Sequence, residues 1–387
     1  MIQKTDITSY VNPGKVIIGI GSISSICEQF ASNDKPLIVS DPGVAQTGAV
    51  SVLEKIICDQ GFKCSVFDRI VSDPPIELIE EVIKYYKNES CTTIIGLGGG
   101  SSIDASKAVA LAVSTGEDLR SYRDRHPVTQ QLTVPLIAIP TTAGTGSEVT
   151  GTSVISDPER KMKLPIIGVP LVPRIAILDG NLLIGIPSHI AAVTGTDALI
   201  HAIEAFISKK ANPITDTLAY GAIKMLVENI RNAVADNQNV EVLQNMLIGC
   251  YISGMSFANA GLGLVHSLAH PLGAYYHIPH GFACAVSLLP VLEYNYPVCV
   301  NKFALLSQAF GYNYTFESKH VSAKRFIDGV SLLLKDLNIP SSLSEYGVNN
   351  YVVEEQMVED AFASGPARIN PRKATKDEIR SLFQKIA

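Results

Sequence analysis

The chain contains no tryptophan and no Cys-x-x-Cys pair, and only 18% of its residues are Asp, Glu, Lys or Arg. Zinc-ribbon and dithiol redox chemistry are excluded by the cysteine spacing. Soluble domains average roughly 25% charged residues, so the low charge points to extensive burial in cores or subunit contacts and excludes a disordered chain. Basic residues are scattered and the net charge is -6, which provides no surface for a phosphate backbone; no nucleic-acid partner is expected. The most apolar stretch, 164–178, is broken by three prolines and Arg174, and the first residues lack a basic region followed by an apolar one. These features predict a cytoplasmic protein that is neither secreted nor membrane-spanning. The seven cysteines (27, 58, 64, 91, 250, 284 and 299) are odd in number and several sit in apolar surroundings, so they read as buried free thiols in a reducing compartment.

What is present is a chain of 387 residues, 47% of them hydrophobic, long enough for two or three domains. The first half alternates β-branched runs at 15–20, 36–40, 91–95 and 136–140 with helical patterns at 76–86 and 102–113. That alternation predicts a parallel sheet flanked by helices. Beyond Ile186, helical patterns over 190–208, 213–235 and 240–259 follow one another without a strand, and Thr375 with Glu378 has capping-box spacing at the start of a last helix. The expected organisation is an α/β domain over 1–185 and an all-helical domain over 186–387, with the cleft between them as the default binding site.

Two loops of the first domain carry phosphate-binding chemistry. Gly96-Leu-Gly-Gly-Gly-Ser-Ser-Ile-Asp104 follows a strand and opens a helix. Its glycines let a diphosphate approach the backbone, Ser101 or Ser102 can cap the helix, and free amides with the helix dipole attract anions. Ser101 stands where a G-x-G-x-x-G motif would place its last glycine, so the plain alternative is a tight turn. Pro140-Thr-Thr-Ala-Gly-Thr-Gly-Ser-Glu148 also follows a strand and supplies hydroxyls and glycine amides. Asp41 ends another strand before Pro42-Gly43. A carboxylate there can accept ribose hydroxyls and repel a 2′-phosphate, which favours NAD over NADP; it can equally be a turn-initiating Asp.

Four of the eight histidines fall within fifteen residues: 266, 270, 277 and 280. His266 and His270 are spaced i, i+4 on one helical face, as are Asp197 and His201. Each pair alone could be structural. Together they can supply up to four ligands to a divalent ion such as Fe²⁺, Zn²⁺ or Co²⁺. A metal beside a nucleotide suggests that the ion polarises an aldehyde or alcohol oxygen while nicotinamide gives or takes hydride.

With these residues in place, the sequence resembles the iron-containing (group III) alcohol dehydrogenases over essentially its whole length. The most specific matches are Gly98–Lys107, Pro140–Thr150, Gly195–Glu204 and Leu262–Gly273 with Pro279-His280-Gly281. The resemblance implies a Rossmann-like domain followed by a helical domain, as in dehydroquinate synthases, and a homodimer or larger assembly. It implies Asp197, His201, His266 and His280 as ligands of Fe²⁺, with Zn²⁺ as the other choice, and His270 as the proton-relay catalytic residue. NAD(H) contacts would come from Asp41, Gly98, Gly99, Gly100, Ser101, Asp104, Thr141, Thr142, Thr145 and Ser147, and from Lys163, with Lys161 close by.

Departures from the family pattern bear on substrate. Small, polar Gly151-Thr152-Ser153 follows the threonine loop, Arg368 stands where a small or apolar residue is usual, and His277 replaces a commoner Asp or Asn; with Phe257 these would line the substrate pocket. A guanidinium and an imidazole there could hold an anionic head group, so the expected substrate is a C2–C3 alcohol or aldehyde, with sulfoacetaldehyde as an anionic example. Arg368 facing solvent is the competing expectation. Lactaldehyde and propanediol oxidoreduction are the neutral alternatives, and a dehydroquinate-synthase-like lyase is the alternative of another class.

Overall fold

The structure is a computed structural model that describes residues 10–11, 14–123, 127–160, 162–312 and 317–387. The first residues and Lys161 therefore lie outside the described residues. Two compact units are formed: residues 11–186 with 237–251, and residues 187–236 with 252–387.

Among the described residues, the first unit carries eight strands: β1 (Lys15–Ile18), β2 (Pro36–Val39), β3 (Ser65–Phe67), β4 (Thr93–Gly98), β5 (Leu136–Pro140), β6 (Thr152–Asp157), β7 (Met162–Ile167) and β8 (Ile175–Leu178). Its helices are α1 (Pro42–Gln46), α2 (Ala49–Asp59), α3 (Ile76–Asn88) and α4 (Gly100–Thr115). Six strands pair in the order β1-β8-β5-β4-β2-β3, all parallel, and β6 and β7 form a separate antiparallel ribbon. Alternate side chains divide between two cores: Leu37, Val39 and Ile94 pack with α3 and α4, while Ile38, Ile95 and Leu97 pack with α2. A parallel sheet covered on both faces needs apolar residues at successive positions, which is why β2 and β4 are buried throughout.

This order places a topological switch between β2 and β4. From that gap the chain winds outward to β3 on one side and through β5 to β8 on the other. Loops leaving the carboxyl ends of strands at such a point form an open crevice, the usual ligand site of a doubly wound sheet. Asp41 follows β2 and the glycine loop follows β4.

The second unit is helical: α5 (Ser188–Ile207), α6 (Pro213–Ala235), the later part of α7 (Val240–Ala260), α8 (Leu264–Tyr276), α9 (His280–Ala309), α10 (Lys319–Asp336), α11 (Glu355–Ala363), α12 (Gly365–Ile369) and α13 (Lys376–Lys385). Thr375 and Glu378 form the expected capping box at the start of α13. By length and composition α5 and α9 could each cross a bilayer. In α5 that apolar character is accounted for by burial, which covers 83% of its most apolar window.

The structure departs from the expected elements in five places. Strand β3, the ribbon β6–β7 and strand β8 are too short or too interrupted by proline to show a clear period, and β8 lies in the broken apolar stretch 164–178. Helix α4 begins at Gly100 and has Gly99 at its N-cap with no side-chain cap. Neither Ser101 nor Ser102 caps it, since Ser102 Oγ donates instead to Asp41 Oδ2 at 3.0 Å. Residues 237–251 join the α/β unit, where Gln244 accepts from Gly180 N at 2.8 Å and donates to Leu178 O at 3.0 Å. A helix pattern cannot reveal that one of its amides completes the end of β8.

Candidate metal centre and nucleotide loops

In the α/β unit, the loop after β4 is shaped by the absence of side chains. Gly98 has φ +153, and a Cβ there would meet Ser102 Oγ at 2.7 Å and Asp41 Oδ2 at 3.0 Å. Gly99 and Gly100 approach the threonine loop, where a Cβ would lie 3.4 Å from Thr142 Oγ1 and 2.8 Å from Thr145 Cγ2 respectively. Thr141 N donates to Gly98 O at 3.1 Å, and Thr145 Oγ1 accepts from Ser147 N at 3.2 Å. The uncapped first turn of α4, which includes Ser101, leaves amides available to an anion at the positive end of the helix dipole.

Asp41 takes the turn-and-cap role foreseen for it. Its Oδ1 caps α1 by accepting from Val44 N at 3.0 Å, and its Oδ2 is turned toward the glycine loop through Ser102. Asp104 faces inward: it accepts from Ser147 Oγ and from Val154 N, and lies 3.8 Å from Lys107 Nζ. Lys163 is exposed and paired with Asp73 at 2.8 Å. Asp104 therefore braces the threonine loop, and Lys163 belongs to a surface ion pair.

In the helical unit, α5 presents Asp197 and His201 one turn apart, α8 presents His266 and His270, and α9 begins at His280. Asp197 Oδ1 lies 3.8 Å from His201 Nε2, 3.9 Å from His266 Nε2 and 4.0 Å from His280 Nε2. Donors held about 2.0–2.2 Å from one ion stand up to about 4 Å apart, so these separations suit a shared divalent cation. Asp197 Oδ1 and His266 Nε2 are buried without a hydrogen-bond partner among the described residues. Unpaired buried polar atoms are costly, and a cation between them removes that cost.

The protonation states also fit. Burial pushes His266 well below the ordinary histidine value, and His201 and His280 push it further. Burial would raise Asp197, but His201, His280 and His266, with the Cys284 thiol beside it, outweigh it and hold the carboxyl below its ordinary value. A neutral imidazole and an ionised carboxylate are the metal-binding forms.

Glu204, one helical repeat along α5, orients His266. Its carboxylate accepts from Gly263 N at 2.9 Å and Val265 N at 2.7 Å, and so caps α8 from a neighbouring helix. It also meets His266 Nδ1 at 2.7 Å. When Glu204 is ionised it only accepts, so Nδ1 carries the proton and the Nε2 lone pair is left for a ligand. Glu204→Gln is expected to reduce metal affinity 10- to 100-fold, read by competition with a chelator.

Two family models match the chain, one described as iron-containing alcohol dehydrogenase over residues 13–180 and one as the C-terminal part of the iron-containing alcohol dehydrogenase family over residues 191–387. The chain belongs to the iron-containing alcohol dehydrogenase family. It is 36% identical to 1,3-propanediol dehydrogenase of Klebsiella pneumoniae over 97% of both chains, and 34% identical to NAD-dependent methanol dehydrogenase of Bacillus methanolicus over 97% of this chain and 99% of that one. Among solved structures, 1,3-propanediol oxidoreductase superposes with a TM-score of 0.93 at 36% identity, covering 99% and 100% of the two chains. Sulfoacetaldehyde reductase from Bifidobacterium kashiwanohense in complex with NAD⁺ superposes with a TM-score of 0.88 at 26% identity, covering 99% of each. The family is that of an oxidoreductase, which sets the lyase alternative aside.

Within this alcohol dehydrogenase fold, the residues expected to line a substrate pocket fall in different surroundings. Phe257 stacks on His201 with ring centroids 4.3 Å apart. His270 is exposed and stacks on half-buried His280 at 5.7 Å, so the cluster meets solvent on that side. His277 is exposed at the C-cap of α8, and Arg368 is exposed with its guanidinium donating to Ala363 O at 3.1 Å. A Cβ at Gly151 would strike Gly168 O at 2.4 Å, so the small residue there serves a close backbone approach in the ribbon. Thr152 O accepts from Lys107 Nζ, and Ser153 is fully buried with its hydroxyl on Asp104 O. These three residues are engaged in close packing and hydrogen bonds within the α/β unit.

Sequence reasoning gave no role to three residues that the structure places against these sites. Lys107 and Glu204 lay inside matched motifs without a role. Cys284 was grouped with the inert thiols, although its i, i+4 spacing from His280 places it on the same helical face, with Sγ 3.6 Å from His280 Nε2.

Proposed function

We propose that the chain is an NAD(H)-linked oxidoreductase of short neutral alcohols and aldehydes, of the size of propanediol, methanol or lactaldehyde. The observation that carries this reading is the convergence of Asp197, His201, His266 and His280 around one unpaired carboxylate oxygen. Bound NAD(H) supplies or accepts hydride, and a bound divalent ion, Fe²⁺ by family, supplies Lewis acidity toward the reacting oxygen. The chain's own residues do the rest. The first turn of α4 and the threonine loop hold the diphosphate, Asp41 takes the ribose hydroxyls, and Asp197 with the three imidazoles holds the ion. His270, exposed beside His280, moves a proton between the reacting oxygen and water.

A neutral substrate is favoured because the Arg368 guanidinium is already engaged by a backbone carbonyl and both Arg368 and His277 are exposed. The test is an anaerobic screen of the iron-reconstituted protein with NADH against lactaldehyde, 3-hydroxypropanal and sulfoacetaldehyde. Turnover is expected to be highest on a neutral aldehyde, with Arg368→Ala within about twofold of the parent on all three. A preference for sulfoacetaldehyde lost selectively in Arg368→Ala would restore the anionic substrate.

Asp41 allows a separate test. Serine keeps a helix-capping oxygen at α1 but removes the charge facing a 2′-phosphate. Asp41→Ser is expected to narrow the preference for NAD over NADP by on the order of 10²-fold in kcat/KM, since like charges about 4 Å apart cost several kcal/mol near a protein surface. An unchanged ratio would leave Asp41 as a cap alone.

A further inference from the structure

The cluster holds one donor more than the four ligands assigned above. Asp197, His266, His280 and Cys284 form a group whose ligand atoms all lie within 4.8 Å of one another. His201 Nε2 lies 3.8 Å from Asp197 Oδ1. Cys284 is fully buried and lies one turn beyond His280 on α9, so the backbone of a single helix sets both donors on one face. Zinc binds sulfur at about 2.3 Å and nitrogen at about 2.0–2.1 Å, so sulfur and nitrogen sharing an ion stand at most about 4.4 Å apart. The 3.6 Å between Cys284 Sγ and His280 Nε2 falls inside that limit. Asp197 Oδ1 and His266 Nε2, both more than nine-tenths buried and unpartnered among the described residues, belong to the same grouping.

We propose that Cys284 is a ligand of the same divalent ion, which gives the centre a sulfur donor beside its carboxylate and imidazoles. The inference rests on the metal reading above. The thiol binds as thiolate, its proton passing to water, with no change of oxidation state. A soft donor biases the site toward Zn²⁺ and Co²⁺ and away from Fe²⁺, relative to a centre built only from imidazole and carboxylate.

Cobalt substitution tests this with a spectroscopic readout. Metal-free full-length protein is titrated anaerobically with Co²⁺, and absorption is followed in the visible, where the d–d bands of bound cobalt appear, and in the near ultraviolet, where thiolate-to-cobalt charge transfer appears. The parent protein is expected to show both. Cys284→Ser and Cys284→Ala are expected to keep the visible bands and lose the near-ultraviolet one, and their affinity for Zn²⁺ relative to Fe²⁺ is expected to fall about tenfold. Visible bands without charge transfer in the parent protein would overturn the role of Cys284 while leaving the metal centre intact, as would a charge-transfer band that persists in both variants. Absence of all protein-bound cobalt absorption would overturn the metal reading itself.

Discussion

Replacing Asp197 with alanine is expected to lower kcat/KM by on the order of 10³-fold and to leave the purified protein depleted of metal. Asp197 Oδ1 is the atom from which the three imidazole nitrogens stand at 3.8, 3.9 and 4.0 Å. Removing it takes away the centre's only carboxylate donor and leaves three neutral rings and the proposed Cys284 thiolate to hold a dication. Polarisation of a reacting oxygen by a metal is worth several kcal/mol, and about 4 kcal/mol corresponds to that factor in rate. Metal content measured beside turnover distinguishes loss of the ion from loss of the fold. A variant with full metal and full activity would refute the centre described here. Asp197→Asn, which keeps the side-chain volume and one oxygen, is expected to fall between the two.

Replacing Lys107 with methionine is expected to destabilise the α/β unit by about 3–5 kcal/mol, the usual cost of breaking a buried charged network at one partner. Lys107 is completely buried. Its ammonium donates to Ser147 Oγ at 2.9 Å, Thr150 O at 2.8 Å and Thr152 O at 2.7 Å, and stands 3.8 Å from Asp104. Methionine fills the space but strands two carbonyls and leaves a buried carboxylate without its cation. The threonine loop is tied to α4 through this network, so weaker NAD binding should accompany the lower midpoint in a denaturant titration. Burial lowers Lys107 from 10.5 to about 8, against the pull of Asp104 and Glu148. Between pH 8 and about 10.5 the unfolded chain holds this proton while the folded chain has released it, so stability from this group rises with pH across that window. The methionine variant should lack that rise.

Much of the framework could be read before the structure. Strands β2, β4 and β5 and helices α3, α4 and α6 are long enough, or apolar enough, for their period to show, and α6 spans the expected 213–235. Asp197, His201, His266 and His280 stand out because metal ligands are drawn from few residue types and because i, i+4 spacing fixes a shared helical face. Strand β8 could not be read, because four residues among prolines carry no period. Gly151 and Ser153 read as pocket residues and the structure packs both against backbone, because smallness has the same appearance in a sequence whether it makes room for a ligand or for another stretch of backbone.

Local order in this chain is a property of neighbours along it: apolar spacing chose helix or strand, glycines opened the turn after β4, and paired donors marked the faces of α5 and α8. Which distant groups meet was decided only by the folded packing. The engagement of Glu204 with His266 spans 62 positions, and that of Lys107 with Thr152 spans 45. Such partners are selected by the requirement that every buried charge and donor be satisfied at once. That condition acts on the packed interior as a whole, and no short stretch of residues encodes it.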